Sequence, residues 1–300
     1  MKQKSKTLAQ FYVIAALLTS ITGWSAEKDK NDDRTLKDAT QELIAKVQAL
    51  MAKDTAEAFE TYAKGAQELA KEFPNESRPL LMMNEASGLI KDKTLSENLA
   101  DNAEKGILAM LKKHPKDAHA NSALLKLAEN ATPEKSKEYL RQVADNGPDQ
   151  VAQQAKGQLT NMEALGKPVE ISFVAVDGRK IDVAKMKGKV VLIDFWATWC
   201  GPCIAELPNV KKTYAKYNNK GLEIIGISLD RSKDELTKYI AKEEISWPQQ
   251  FDGQGWGNKF AVRYGIRGIP AMWLIDRQGN LVDKNARTAL DSKIERFLRE

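Results

Sequence analysis

The sequence predicts a multidomain protein, an all-α helical domain followed by an α/β domain, and three observations predict it. Apolar residues recur at helical spacing from about Arg34 to Leu165. Beyond Gly166 the period changes to short strands alternating with helices. At 300 residues the chain is also longer than a single core usually organises. The expected divisions are a leader over 1–26, a helical domain over 27–165 and an α/β domain over 166–300.

The leader opens with Lys2, Lys4 and Lys6 and continues into an apolar run from Phe11 to Leu18. Gly23, Ser25 and Ala26 supply small residues for cleavage, although Trp24 fits that pattern poorly. The run is shorter than the roughly 20 residues that span a bilayer, which favours a cleaved signal peptide. A retained N-terminal anchor is the alternative, and membrane contact is expected only in that case. Either way the rest of the chain is expected outside the cytoplasm, in the periplasm or an equivalent space.

Helical stripes then follow one another. They are Leu36, Leu43, Val47 and Leu50; Phe59, Tyr62, Ala66, Leu69 and Phe73; and Leu99, Ala103, Ile107 and Met110. After them come Ala120, Leu124 and Leu127; Ser136, Leu140 and Val143; and Val151, Ala155, Leu159 and Met162. Pro74, Pro115, Pro133 and Pro148 punctuate the series. Glu72–Pro74 and Lys113–Pro115 lie 41 residues apart, a spacing that resembles paired-helix tetratricopeptide arrays without their clear signature residues. Such stripes are core rather than a cofactor box.

In the α/β domain, Ile171–Val176 and Arg179–Val183 flank Asp177-Gly178, which predicts a hairpin with a type I′ turn. Val190–Phe195 is a nearly continuous apolar run and predicts a buried central strand. A helix over Cys203–Tyr217, a strand over Leu222–Leu229 and a helix over Lys233–Glu243 follow. A long connection leads to Gly268-Ile269-Pro270, strands at Ala271–Ile275 and Leu281–Val282, and a closing helix over Leu290–Leu298.

The formal charge of +5 falls to +2 once the three leader lysines are set aside, and no basic block is interleaved with aromatics. Nucleic acid is therefore not an expected partner. The two cysteines, Cys200 and Cys203, are three residues apart, so a bridge between them closes almost no loop and adds little stability. Their pairing points to chemistry. A zinc site would need further ligands, and His114 and His119 lie far upstream in a helical region, so neither a metal nor a cofactor is expected. Cys200 falls where a buried strand gives way to a helix, whose unpaired N–H groups and dipole favour a thiolate. Pro202 suits the first helical turn because its missing N–H has no partner to lose there.

Val190–Cys203 (VVLIDFWATWCGPC) and Tyr264–Pro270 (YGIRGIP) resemble the two halves of a thioredoxin active site. The lead-in Asp177–Lys189, the segment Cys203–Pro208 and the long stretch between Asp230 and Pro270 are similar to the TlpA/ResA group of exported redoxins. The resemblance covers roughly residues 168–300. It implies a thioredoxin-like fold and a redox-active Cys200–Cys203 disulfide, with Cys200 the exposed nucleophile and Cys203 the resolving thiol. It also implies that Pro270 is a cis-proline facing the disulfide and that the backbone of Ile269 pairs with substrate. Trp199, Gly201 and Pro202 would contact substrate, and Trp196 with Trp199 would wall the site. Asp194 matches a buried acid that exchanges a proton with Cys203, and Glu206 matches a second acid able to do the same. Gly226 stands where thioredoxins carry a Lys beside the acid, so the choice between Asp194 and Glu206 stays open.

The implied activity is extracytoplasmic thiol–disulfide exchange with protein substrates. The Gly-Pro pair between the cysteines is that of thioredoxins, with potentials of about −270 mV against about −120 mV for a dedicated oxidant, which points to a reductase. A reductase in an oxidising space needs a membrane electron donor. A peroxiredoxin-like peroxidase is one alternative, although Ala197 occupies the position where such enzymes place Thr or Ser. A protein-binding scaffold or holdase with a docking module is another, for which the intact cysteine pair has no use.

Overall fold

The computed structural model describes residues 35–300, so the expected leader lies outside the described residues. The chain divides into two compact units, one ending at Ala131 and one spanning Thr132–Glu300. That division precedes the expected 165/166 boundary because the last two helices of the striped region join the α/β layer.

The helical unit contains α1 (Leu36–Met51), α2 (Thr55–Glu72), α3 (Ser77–Ser87), α4 (Lys93–Lys113) and α5 (Ala118–Asn130). Their starts are fixed locally. Thr35 and Asp38 form a capping box on α1, and Asp54, Asp92 and Asp117 accept the first free N–H groups of α2, α4 and α5. The connections after α2 and α4 repeat. Phe73 N donates to Leu69 O and Glu76 N to Phe73 O; 41 residues later His114 N donates to Met110 O and Asp117 N to His114 O. Helix α3 is the one the stripes did not predict. It is short, and Pro79 in its first turn looks like a breaker, although a proline there loses no hydrogen bond. Leu43, Val47, Tyr62, Leu69, Met82 and Leu99 close the core of this unit.

The second unit opens with α6 (Pro133–Asn146) and α7 (Asp149–Glu163), packed on each other. The hairpin β1 (Ser172–Val174) and β2 (Lys180–Asp182) follows. Its turn is not type I′: Gly178 N donates to Ala175 O and Ala175 N to Arg179 O, while Gly178 takes φ 88° and Asp177 keeps a negative φ. This is a three-residue loop ending in a left-handed glycine, which needs one positive φ rather than two.

The remaining elements are β3 (Val190–Trp196), α8 (Gly201–Tyr217), β4 (Leu222–Ser228), α9 (Lys233–Lys242), β5 (Gln249–Gln250), α10 (Lys259–Arg263), β6 (Ala271–Ile275), β7 (Leu281–Asp283) and α11 (Leu290–Arg299). The sheet order is β5-β4-β3-β6-β7, with β3 parallel to β4 and antiparallel to β6. All seven residues of β3 are buried, as its apolar run requires of a central strand. The carboxyl ends of the parallel pair β3 and β4 lie side by side, where open α/β sheets place their chemistry.

Candidate active site

Beyond Trp196 the chain turns sharply before α8 begins, and that turn carries the cysteines. Cys200 N donates to Ala197 O at 3.1 Å, and Cys200 is the N-cap of α8 with φ −87° and ψ 97°. In place of a hydroxyl or carboxylate, its Sγ accepts the Cys203 N–H at 3.2 Å. Cys200 and Cys203 are joined as a disulfide with a Cα separation of 5.2 Å. The helix terminus thus directs an N–H dipole at the sulfur expected to carry negative charge.

Cys200 is less open than expected, with 5% of its surface exposed. In the oxidised state its sulfur is turned toward Cys203, and partly buried Ile269 packs against the core cluster that contains both cysteines. The disulfide nonetheless has an accessible margin: Gly201 and Pro202 are exposed, as are Trp199 (54%) and Ile204 (37%). The Ile269–Pro270 bond is cis, as the resemblance implied.

The two tryptophans separate in role. Trp199 projects outward beside exposed Trp256, with ring centroids 6.2 Å apart. Trp196 is buried: its Nε1–H donates to Gln249 Oε1 at 2.8 Å, and its ring tilts against Tyr239. Residues 194 and 196 of one strand share a face of the sheet, and that face is covered.

Asp194 is buried on β3, and its Oδ1 has no hydrogen-bond partner. Burial, reinforced by the negative charge of Glu206, pushes its pKa from 3.8 to about 7. Gly226 is its register partner on β4. The space over that glycine is filled by Gln249, whose side-chain oxygen would lie 1.9 Å from an added Cβ, so an amide occupies ground that a cation could have taken. Glu206 has a different setting. Its Oε1 accepts from Asn209 Nδ2 at 2.6 Å and its Oε2 from Arg287 Nε at 2.9 Å, at a half-buried position on α8.

Arg287, Gln249, Trp256 and Asp230 belong to the site and escaped the sequence reading. Asp230 is buried just past the end of β4. Its carboxylate accepts from Thr198 Oγ1 at 2.6 Å, Thr198 N at 3.1 Å and Ser228 Oγ at 2.7 Å, holding the turn that presents Cys200. A carboxylate closing the apolar run Leu222–Leu229 was the available signal, since polar residues at the carboxyl ends of parallel strands commonly face the site. Among the described residues no cluster of His, Cys, Asp and Glu suited to a metal ion occurs.

The chain is similar to known proteins over its second unit. The redoxin family model matches residues 150–297. A thiol-disulfide oxidoreductase ResA of Bacillus cereus is 32% identical over 131 residues, 43% of this chain and 74% of that protein. ResA of Bacillus subtilis is 27% identical over 129 residues, covering 42% and 70%. Among solved structures, the thioredoxin domain of a thiol-disulfide oxidoreductase from Bacteroides vulgatus is 31% identical with a TM-score of 0.42, over 45% of this chain and 98% of the other.

Proposed function

The chain belongs to the TlpA/ResA-type redoxins and carries their thiol–disulfide oxidoreductase domain; from that membership we propose that it reduces disulfides of protein substrates outside the cytoplasm. One observation carries the chemistry: a disulfide sulfur capping a helix, Cys200 Sγ accepting the amide of Cys203. The same donor favours a Cys200 thiolate after reduction.

In the reducing direction the Cys200 thiolate attacks a substrate disulfide, forming a mixed disulfide and expelling one substrate thiolate. Asp194 takes the proton of the Cys203 thiol. The new thiolate attacks Cys200 Sγ, restoring the Cys200–Cys203 bond and releasing the second substrate thiolate. With a pKa of about 7 in the oxidised protein, Asp194 is suited to hold and to give up a proton near neutrality, whereas Glu206 is occupied by Arg287 and Asn209. We therefore assign the proton to Asp194 and give Glu206 the role of tuning it through charge. Regenerating the dithiol requires two electrons from a donor, for which a membrane thiol protein fits the extracytoplasmic setting. Ile269 and Pro270, with Trp199, Gly201 and Pro202, form the rim that meets the substrate chain. Among the described residues no helix is long and apolar enough to cross a membrane.

The test is the reduction potential of the Cys200–Cys203 couple, with trapping by the Cys203→Ser variant in cells. A potential near that of thioredoxin, about −270 mV, together with mixed disulfides to Cys200, is expected. A value above about −180 mV overturns the reducing direction. Absence of trapped adducts overturns protein disulfides as the substrate.

A further inference from the structure

A groove of about 860 Å³ lies between α7 and the segment from Trp256 to Arg267. That volume lies toward the upper end of the roughly 300–1,000 Å³ usual for ligand clefts. One end adjoins the active site directly. Trp256, on its lip, lies with its ring tilted beside that of Trp199, the residue before Cys200, at 6.2 Å between centroids, and Arg267 stands two residues before Ile269.

Helix α7 is built into this wall. Gly157 presses on the backbone ahead of the cis-proline loop: a Cβ there would lie 2.3 Å from Val262 O, and one on Gly265 would lie 2.6 Å from Gly157 O. Asn161 Nδ2 also donates to Tyr264 O at 2.8 Å. The wall facing the groove carries exposed Gln153, Gln154 and Lys156, and the opposite side carries Lys259. Among the described lining residues none is acidic, and Arg263 on the rim is paired with Glu170.

This chemistry selects an occupant. Glutamine amides both donate and accept, as an extended main chain requires. The exposed lysines attract carboxylates, and an exposed tryptophan pair takes apolar side chains. We propose that this groove binds an extended, acidic segment of the substrate protein next to the disulfide being exchanged, with α7 as its far wall. The proposal rests on the thiol–disulfide exchange reading for its occupant. It adds a recognition surface outside the cysteine loop and assigns a role to a helix the sequence placed in a separate domain.

The experiment measures two things on the oxidised or freshly reduced full chain. Fluorescence anisotropy follows a labelled, cysteine-free peptide of Glu and Gly, and its Lys and Gly counterpart, binding to the oxidised protein at low and high salt. A small aromatic disulfide, which needs no groove, reports exchange by the reduced protein. The acidic peptide is expected to bind about tenfold more tightly at low salt, with the difference shrinking as salt screens it. The surface double variant Lys156→Glu/Lys259→Glu is expected to abolish that preference. Equal binding of the two peptides, or a preference untouched by the double variant, overturns the groove. Peptide binding without reaction of the small disulfide leaves the groove standing and sinks the exchange reading; the converse does the opposite.

Discussion

Glu85 in the helical unit is a partly buried acid and Asp194 in the redoxin unit a buried one, and their surroundings differ. Glu85 accepts from Tyr62 OH at 3.0 Å and lies 3.8 Å from Arg78. Burial raises its pKa while Arg78 and Tyr62 pull it back. Asp194 has an unpartnered oxygen and, in Glu206, a neighbour of its own sign, so nothing offsets burial. A carboxylate given donors and a counter-charge is part of a scaffold, whereas one denied both keeps its proton available near neutral pH. The helical unit satisfies this acid; the redoxin unit leaves its own unsatisfied on the strand that leads to the disulfide.

The largest expected effect separates these acids by pH. A pKa raised from 3.8 in the unfolded chain to about 7 in the folded one means the unfolded state releases its proton first. Stability from this group is therefore full below about pH 4 and falls as pH rises toward 7. The change amounts to about 4 kcal/mol. Urea unfolding of oxidised Asp194→Asn against the parent should show that slope removed. A parallel slope in the two proteins would mean that Asp194 ionises normally.

A middle effect tests the union of α7 with the redoxin unit. Gly157→Ala places a methyl group against the Val262 carbonyl, an overpacking expected to cost about 1–3 kcal/mol and to slow exchange by displacing the segment before Ile269. If α7 were a loosely attached neighbour, thermal unfolding and exchange rate would both stay unchanged. The smallest effect belongs to the helical unit. Tyr62→Phe removes a donor from Glu85 and should cost about 1 kcal/mol, with no change in the reduction potential of the cysteines. A shifted potential would show that the two units are energetically linked.

What could be foreseen depended on how far apart the interacting residues lie in the chain. The β3 run and Trp199–Cys203 are contiguous and were legible; the caps at Thr35, Asp54, Asp92 and Asp117 also act within three residues but were not read from the sequence. The family resemblance placed Ile269–Pro270, which no local rule identifies. Arg287 reaches Glu206 across 81 positions, Trp196 meets Gln249 across 53 and Thr198 meets Asp230 across 32. No periodicity encodes such pairs. The partner of Trp196 at 249 was invisible for the same reason.

By itself, then, the sequence determined the helical stripes, the strand–helix alternation and the chemistry of a paired thiol at a helix start, because these follow from neighbours along the chain. The tertiary structure alone decided that α7 belongs with the redoxin unit, that Asp194 lacks a partner while Glu206 has two, and that Trp256 joins Trp199 at the rim. Close approach of Gly157 to the backbone at Val262, and the exclusion of water around Asp194, exist only once distant segments have packed.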